Sequence, residues 1–334
     1  MDKSKKYFLL FTVFSLFVLG AVFYSAYLTS ESNPAFEGKV PEIITPPEKE
    51  YTLLFTGDIM LDRGVKHMTK KHGNGDYSFP FLKIADTLKE ADILFGNLES
   101  VISDKGHDVG GIYSFRADPA SMKGLTFADF DIVTLANNHA FDYTREALED
   151  TMERLQEAGI EYTGAGFNKE EAHSPTTLLL GEDTKVGFLG YTPFLYPYAR
   201  ATEDRSGVTE YSPEKIREDI ESAKEKTDIL VVTFHYGEEY QKEPNEDQRY
   251  ISRRAIDWGA DIVIGHHPHV TQPVEEYEGG YIAYSLGNFI FDQYFSKETM
   301  RGFLLKAKIK GEEITDVEKI HYELNEYYQP EIVR

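Results

Sequence analysis

Six short apolar runs, each followed at once by polar side chains, restrict the fold of this chain more than any other feature. The six junctions are YTLLFT before Gly57-Asp58, ADILF before GNLES, DIVTLA before Asn137-Asn138-His139, DILVVTF before His235, DIVIG before HHPH, and GGYIAYSL before Gly287-Asn288. Such β-rich runs alternate with polar segments of helical pattern, which is typical of α/β domains. In open α/β sheets, ligands bind outside the carboxyl ends of the strands, so we expect the six polar ends to form one site.

Two of the intervening segments carry clear helix signals. Ser212 is a good N-cap with Pro213 at the first helical position, and residues 143–159 place apolar side chains at helical spacing before a terminal glycine. After about Arg301, the runs GFLLKAKIKG and EEITDVEKIHYEL predict a closing β-hairpin. We therefore expect one domain over residues 51–324 and a loose tail over residues 325–334.

The amino terminus predicts a membrane anchor. Residues 7–29 contain no charged side chain and are long enough to cross a bilayer as a helix, and Lys3, Lys5 and Lys6 precede them. By the positive-inside rule, residues 1–6 are a cytoplasmic tail, and residues 30–50, rich in Pro and Glu, form a stalk. The chain is thus expected to cross the cell membrane once, with its carboxyl-terminal domain extracellular. A cleaved signal peptide is the alternative, although Ser25-Ala26-Tyr27 resembles a cleavage site only weakly.

Composition excludes several functions. The chain has 57 acidic and 35 basic residues and a formal net charge of -22, whereas binding of duplex nucleic acid requires a basic surface. Nucleic acid is therefore not an expected partner. Cysteine is absent, so disulfides, thiolate metal sites and thiol nucleophiles are excluded as well.

The residue types at the ends of the apolar runs favour a site for divalent cations. Without cysteine, carboxylate oxygen and neutral imidazole nitrogen are the strong ligands that remain. The predicted ligands are Asp58, Glu99, Asn138, His235, His267 and His269. They suffice for two ions, as in phosphoester hydrolysis, and leave the metal open among Mn, Zn, Fe, Ca and Mg. For each residue the alternative is a structural role, such as a capped turn or a hydrogen-bonded strand end.

The three histidines of the GHHPH segment are predicted to differ in role. Alternate side chains of an extended chain share a face, and Pro268 favours an extended conformation for His267. We therefore expect His267 and His269 to project together as ligands. His266 is expected to project oppositely and to pack or to support the ligands.

His139 is the predicted catalytic residue, because histidine titrates near neutrality and can protonate a leaving group. A buried, hydrogen-bonded turn is the alternative for this position. Asp142 either accepts a hydrogen bond from the ring of His139 or caps the helix that begins near Tyr143, and capping is favoured. Asn97 projects to the same side as Glu99 and is a candidate to join the site.

Six motifs, GDIML, GNLES, ANNHAFD, FHYGEEY, GHHPHV and SLGNFIFD, follow one another over about Tyr51 to Asp292. In this order they resemble the capsule synthesis proteins of the CapA (PgsA) type, the membrane-anchored component of poly-γ-glutamate synthesis. The resemblance implies the membrane and the subunits of a poly-γ-glutamate synthase complex as partners. It also implies an anionic polymer or a phosphoester as substrate.

That family is similar in turn to the calcineurin-like metallophosphoesterases, whose fold is two packed sheets flanked by helices. The resemblance implies an α/β, two-sheet sandwich of this kind behind the amino-terminal transmembrane helix. The metal-binding pattern of that superfamily is D-x-H, G-D-x-x-D, G-N-H-[DE], a lone histidine and G-H-x-H. The matching residues here are Asp58, Asn138, His139, His235, His267 and His269.

This chain departs from the superfamily pattern at three positions. Met60 stands where the first histidine belongs, and Asn97 stands in place of the bridging aspartate, with Glu99 as a substitute. Ala140 replaces the acid that follows His139. Two of these positions hold metal in the superfamily, so the resemblance implies the fold and leaves the reaction open. Three functions remain: an extracellular, membrane-anchored component of poly-γ-glutamate capsule synthesis or export, an active metal-dependent phosphoesterase, and a metal-stabilised binding module without catalysis.

Overall fold

The computed structural model describes residues 49–195 and 197–333. The predicted cytoplasmic tail, the membrane anchor and almost all of the stalk lie outside these residues. Within the two described ranges, every helix is too short or too polar to cross a bilayer.

Strands alternate with helices along the described chain. The strands are β1 (Glu50–Ile59), β2 (Ile93–Leu98), β3 (Val101–Ile102), β4 (Arg116–Ala117), β5 (Ile132–Thr134), β6 (Glu161–Thr163), β7 (Ala165–Gly166), β8 (Thr176–Leu180), β9 (Thr184–Tyr191), β10 (Gly207–Val208), β11 (Ile229–His235), β12 (Ile262–His266), β13 (Val274–Tyr277), β14 (Gly280–Ala283), β15 (Asn288–Ile290), β16 (Arg301–Lys310), β17 (Glu313–Leu324) and β18 (Pro330–Ile332). The α-helices are α1 (Arg63–His72), α2 (Ala85–Leu88), α3 (Met122–Phe127), α4 (Thr144–Glu157), α5 (Lys169–His173), α6 (Pro213–Lys224) and α7 (Glu246–Asp257).

Most of the strands form two mixed sheets. The first has the order β18-β17-β16-β1-β2-β5-β6, with β15 also paired to β1, and the second has the order β13-β14-β12-β11-β9-β8. Neighbours among β1, β2, β5 and β6 are parallel, as are neighbours among β9, β11, β12 and β14. Parallel order brings the carboxyl ends of these strands to one edge of each sheet, where ligand sites of α/β proteins lie.

The two sheets pack face to face around an apolar core. Leu53, Phe55 and Phe95 of the first sheet meet Phe188 and Ile264 of the second, and the rings of Phe95 and Phe188 stack with centroids 5.7 Å apart. A second core joins the first sheet to helices α1 to α4, and a third joins the second sheet to helices α6 and α7. The predicted α/β sandwich of two sheets flanked by helices is therefore confirmed.

Local sequence signals act as predicted in three places. Ser212 accepts a hydrogen bond from the backbone N–H of Lys215 at 3.3 Å, and Pro213 begins α6. Helix α4 lies within the predicted residues 143–159, and β16 and β17 form the predicted hairpin. The expectation of a loose tail is wrong for Pro330–Ile332, because β18 pairs antiparallel with β17 and extends the first sheet.

Strands β1 and β15 approach each other closely just before Asp58. A Cβ atom at Gly57 would fall well within 3.0 Å of the Gly287 carbonyl oxygen, so only glycine fits there without a shift of the backbone. The backbone N–H of Asp58 donates to the same oxygen at 3.1 Å. Strands β1 and β15 are thereby held close enough to place Asp58 opposite Asn288 in parallel register.

Candidate metal centre

Strand register brings polar residues of five strands together. Asp58 of β1 lies beside Asn97 of β2 and Asn288 of β15, while His235 at the end of β11 lies beside His266 of β12. All five side chains are buried. His266 Nδ1 lies 3.2 Å from Asp58 Oδ1, and Asn138 Oδ1 lies 2.8 Å from His235 Nε2, so the fold brings the six junctions together as the sequence predicts. Binding of metal by these residues stays a prediction.

Asp58 is surrounded by hydrogen-bond donors. Its Oδ1 accepts a hydrogen bond from Asn97 Nδ2 at 2.8 Å and lies 3.2 Å from His266 Nδ1. Its Oδ2 accepts one from the backbone N–H of His267 at 3.4 Å and lies 3.2 Å from His269 Nδ1. Burial raises the pKa of Asp58, but the contacts with His266 and His269 outweigh burial and hold the pKa well below its ordinary value. The carboxylate is therefore charged.

Glu99, directly after β2, has a free carboxylate oxygen. Its Oε2 accepts a hydrogen bond from Asn97 Nδ2 at 3.2 Å, but its buried Oε1 has no hydrogen-bond partner among the described residues. Oε1 faces imidazole nitrogens: Nε2 of His269 at 3.6 Å, of His139 at 3.8 Å and of His235 at 4.0 Å. Burial and nearby carboxylates raise the pKa of Glu99 well above its ordinary value. A buried carboxylate oxygen that faces imidazole nitrogens fits a bound cation.

His235, His267 and Asn138 form the second part of the cluster. His235 Nε2 lies 2.8 Å from Asn138 Oδ1 and 3.2 Å from His267 Nδ1. Burial, with a further contribution from His267, lowers the pKa of His235 well below its ordinary value, and burial lowers the pKa of His267 to about 3. Both rings are therefore neutral near pH 7, which is the form that binds metals. Phe194 covers this pair, with its ring centroid 4.3 Å from that of His267.

The backbone of the GHHPH segment is not extended throughout, contrary to the prediction. Strand β12 ends at His266, and His267 and His269 have positive φ values of 95° and 57°. The prediction from Pro268 is wrong because the chain turns back over the site here, and the His267 N–H points to Asp58 instead of continuing the strand. Both side chains still reach the cluster. His266 does not project away from the site but lies against Asp58, in a supporting position.

Asp142 orients His139 and does not cap a helix. Its Oδ2 lies 2.7 Å from Nδ1 of His139 and accepts a hydrogen bond from the Phe115 N–H, also at 2.7 Å. Helix α4 begins at Thr144 with Tyr143 as the N-cap residue, without a side-chain cap from the described part of the chain. The favoured prediction for Asp142 is therefore wrong, and the alternative is correct. The ring of His139 also stacks on that of Phe115, with centroids 3.9 Å apart, so its orientation is fixed.

Three residues outside the predicted ligand set belong to the site. Asn137 donates from Nδ2 to Asn97 Oδ1 at 3.1 Å, and Asn288 Oδ1 lies 2.9 Å from Nδ1 of His269. Glu239 offers a carboxylate oxygen within 4.8 Å of the ligand atoms of the His-x-His pair. The sequence carries a signal for each, since Asn137 and Asn288 follow apolar runs and Glu239 lies in FHYGEEY.

The donor set fits a divalent ion. Two groups of three residues offer ligand atoms within 4.8 Å of one another, namely Asp58, Glu99 and His235, and Glu239, His267 and His269. Mixed carboxylate and imidazole ligands suit ions such as Zn, Mn and Fe. Met60 adds no ligand, because its buried sulfur accepts a hydrogen bond from the backbone N–H of Asp62 at 3.2 Å.

Known proteins are similar in sequence to this domain. A family model described as the bacterial capsule synthesis protein PGA_cap matches residues 52–293. The PGA biosynthesis protein CapA of Bacillus subtilis is 32% identical over 265 residues, which cover 79% of this chain and 69% of that protein. The capsule biosynthesis protein CapA of Bacillus anthracis is 33% identical over 257 residues, which cover 75% of this chain and 62% of that protein.

A solved structure shares the fold. The 5'-nucleotidase precursor of Thermus thermophilus matches with a TM-score of 0.51 at 13% sequence identity, covering 85% of this chain and 56% of that chain. At this identity the likeness establishes the fold alone. It agrees with the sandwich of two sheets, but a shared fold does not establish a shared chemistry at the site.

Proposed function

The chain belongs to the bacterial capsule synthesis protein family, and we propose that it is a membrane-anchored, extracellular component of poly-γ-glutamate capsule synthesis or export. The family match over residues 52–293 is the observation that carries this proposal, and both Bacillus relatives bear names from capsule or PGA biosynthesis. The uncharged residues 7–29, preceded by three lysines, would hold the domain at the outer face of the membrane. Its partners would be the membrane and the other subunits of a poly-γ-glutamate synthase complex.

The candidate metal centre gives this function a physical basis. The chain has many more acidic than basic residues, so it repels a polyanion unless cations lie between the two. A divalent ion where Glu99, His235, His267 and His269 converge would supply positive charge at one defined place. The anionic polymer would then be held at the strand ends and not along the acidic surface.

Gene deletion with complementation in the native host tests the capsule role. We expect the deletion strain to lose cell-bound and released poly-γ-glutamate, and the full-length chain to restore both. The variant His267→Ala/His269→Ala should not restore them. The control His67→Ala/His107→Ala, which changes two exposed histidines outside the site, should restore them. Normal polymer in the deletion strain would reject the capsule role.

The predicted anchor is tested separately. A chain that begins at residue 31 behind a cleavable export signal should appear in the medium and fail to restore the polymer. The full-length chain should stay with the membrane, and protease added to intact protoplasts should digest its domain. Protection of the domain from protease would reject the extracellular orientation.

An active metal-dependent phosphoesterase is the second candidate, and the geometry of His139 favours it. Asp142 holds Nδ1 of His139 at 2.7 Å, which leaves Nε2 facing Glu99 Oε1 at 3.8 Å. A histidine held in this way can give a proton to the leaving oxygen of a phosphoester. The bound ion would supply charge stabilisation for the phosphoryl group.

Hydrolysis of generic phosphodiesters by the purified full-length chain, with Mn²⁺ or Zn²⁺, tests the second candidate. Turnover that His139→Gln abolishes without loss of bound metal would support it. Bound metal without turnover under any of these conditions would reject it. That outcome favours a binding module without catalysis, which is compatible with the capsule role.

A further inference from the structure

Helix α1 is basic in a chain that is mostly acidic. Its ten residues, Arg63–His72, include four basic side chains besides two histidines and no acidic one, whereas the whole chain has 57 acidic and 35 basic residues. The four side chains are Arg63, Lys66, Lys70 and Lys71. Residues three, four and seven apart share one face of a helix, so the first three form a row with Lys71 beside it. The buried residues of the helix, Val65 and Thr69, lie outside this row.

The first basic residue of the helix lies at the edge of the candidate metal centre. The Cζ atom of Arg63 is 4.5 Å from the ring centroid of Phe115, and Phe115 in turn stacks on His139. Arg63 has a positive φ of 46°, a rare conformation for a residue other than glycine and one that clusters at functional sites. The helix then extends for about 15 Å. It ends at His72, whose ring contacts Tyr327 outside the site.

The two basic residues nearer the site already have acidic neighbours. Arg63 forms an ion pair with Asp292, which also accepts a hydrogen bond from the Gly64 N–H at 2.8 Å. This pair fixes the guanidinium over the aromatic ring. Lys66 Nζ lies 3.4 Å from Asp62 Oδ1, in a long and half-buried ion pair. Such a pair contributes little, so Lys66 can also bind a second anion.

The two basic residues at the far end of the helix are free. Lys70 and Lys71 are exposed, and no carboxylate oxygen of a described residue lies within 4.0 Å of either ammonium group. Asp118 is the acidic residue whose charge acts on this part of the helix. A hydrogen bond from the Ala120 N–H at 3.0 Å, and then the charges of Lys66 and Lys70, lower the pKa of Asp118. Two exposed cations without an ion-pair partner can attract an anionic ligand.

We propose that the row of basic side chains on α1 binds the carboxylates of the poly-γ-glutamate chain, from Arg63 at the metal centre to Lys70 and Lys71. This inference rests on the proposed function and locates the polymer on one helix. A polymer with a carboxylate on every residue is complementary in charge to such a row, while the acidic remainder of the surface repels it. Because several weak contacts act together, binding should require a polymer and not single glutamate molecules.

Removal of charge at the far end of α1 tests the inference without a change at the metal centre. The full-length wild type and Lys70→Gln/Lys71→Gln are titrated with fluorescently labelled poly-γ-glutamate in Mn²⁺. Each lost ion pair at an exposed position weakens binding about 1.5- to 5-fold, so the double variant should bind about 2- to 30-fold more weakly. Glutamine is as good a helix former as lysine, so the fold is kept. The control Lys226→Gln/Lys310→Gln removes the same charge from two exposed positions outside α1 and should bind as the wild type does.

Three results of the titration would overturn the inference. The first is equal binding by the wild type and Lys70→Gln/Lys71→Gln, or no binding by the wild type. The second is displacement of the polymer by free glutamate as effective as that by unlabelled polymer at the same carboxylate concentration. The third is tighter binding to phosphatidylglycerol vesicles than to the polymer, lost in the double variant, because the helix would then bind a lipid surface.

Complementation of the deletion strain separates this inference from the capsule role. Lys70→Gln/Lys71→Gln should restore less poly-γ-glutamate than Lys226→Gln/Lys310→Gln does. Full restoration by Lys70→Gln/Lys71→Gln, in a strain that makes no polymer without the gene, would overturn the inference and leave the capsule role in place. Normal polymer in the deletion strain would reject the capsule role, while the titration would still decide whether α1 binds the polymer.

Discussion

Replacing Gly57 with alanine is expected to disrupt the candidate metal centre through the backbone alone. The new Cβ would fall well within 3.0 Å of the Gly287 carbonyl oxygen, and that oxygen belongs to the main chain and cannot rotate away. Strands β1 and β15 must therefore separate. Asp58 follows Gly57 directly and lies opposite Asn288, so the separation pulls apart the two groups that face Nδ1 of His269.

The expected loss of stability has two contributions. Forcing an extra methyl group into a packed position costs about 1–3 kcal/mol. The hydrogen bond from the Asp58 N–H to the Gly287 oxygen, 3.1 Å long, is lost as well, which adds about 1 kcal/mol. Gly57→Ala should therefore lower the free energy of unfolding by about 2–4 kcal/mol. Metal affinity should fall about 10- to 100-fold, because the support behind His269 is displaced.

Urea denaturation measures the free energy of unfolding, and metal titration measures the affinity for the ion. Gly279→Ala is the matched control for both. Gly279 has a positive φ of 84°, and, apart from the glycine and its two chain neighbours, no described residue has a heavy atom within 4 Å of the added Cβ. The control should therefore lose about 1 kcal/mol from backbone strain and keep its metal affinity. A Gly57→Ala chain as stable as the control, or one with wild-type metal affinity, would refute the argument.

Three further changes test other parts of the structure. Ser212→Ala removes the N-cap of α6 and should lower the free energy of unfolding by about 1 kcal/mol in urea, without a change in metal affinity. In chelator, His267 should contribute a loss of stability of up to about 1.4 kcal/mol per pH unit between pH 6.5 and pH 3. The reason is that unfolded His267 binds a proton in this range, whereas the folded residue, with its pKa lowered to about 3, does not. His267→Gln should reduce that pH dependence. Asp142→Asn should leave metal content unchanged and lower any phosphodiester turnover about 100-fold, since His139 loses its fixed orientation. An unchanged unfolding curve for Ser212→Ala would contradict the first prediction. An unchanged pH dependence for His267→Gln would contradict the second, and an unchanged turnover for Asp142→Asn would contradict the third.

The fold follows from the sequence where the signals are local. Apolar runs and helix caps act over a few residues, which is why the α/β sandwich, the start of α6 at Ser212 and the closing hairpin are predictable. The convergence of the polar junctions is predictable too, because the carboxyl ends of parallel strands meet at one edge of a sheet. Asp58 and His235 are therefore found where the strand pattern places them.

Features that depend on distant partners are not predictable in this way. The positive φ values of His267 and His269 arise where the chain turns back over Asp58, a residue far away in sequence. Asp142 orients His139 because it also binds the backbone of Phe115, which no local pattern indicates. Strand β18 forms because β17 offers an edge for pairing, so the tail gains order from the sheet and not from its own sequence.

The metal content of the purified full-length chain decides whether the residues at the strand ends bind a divalent ion. The chain is loaded with Mn²⁺ or Zn²⁺, freed of unbound ions and submitted to elemental analysis beside the His267→Ala/His269→Ala variant, with circular dichroism as the check on folding. We expect at least one bound ion per wild-type chain and none in the folded variant. A folded wild type that retains no divalent ion would contradict it.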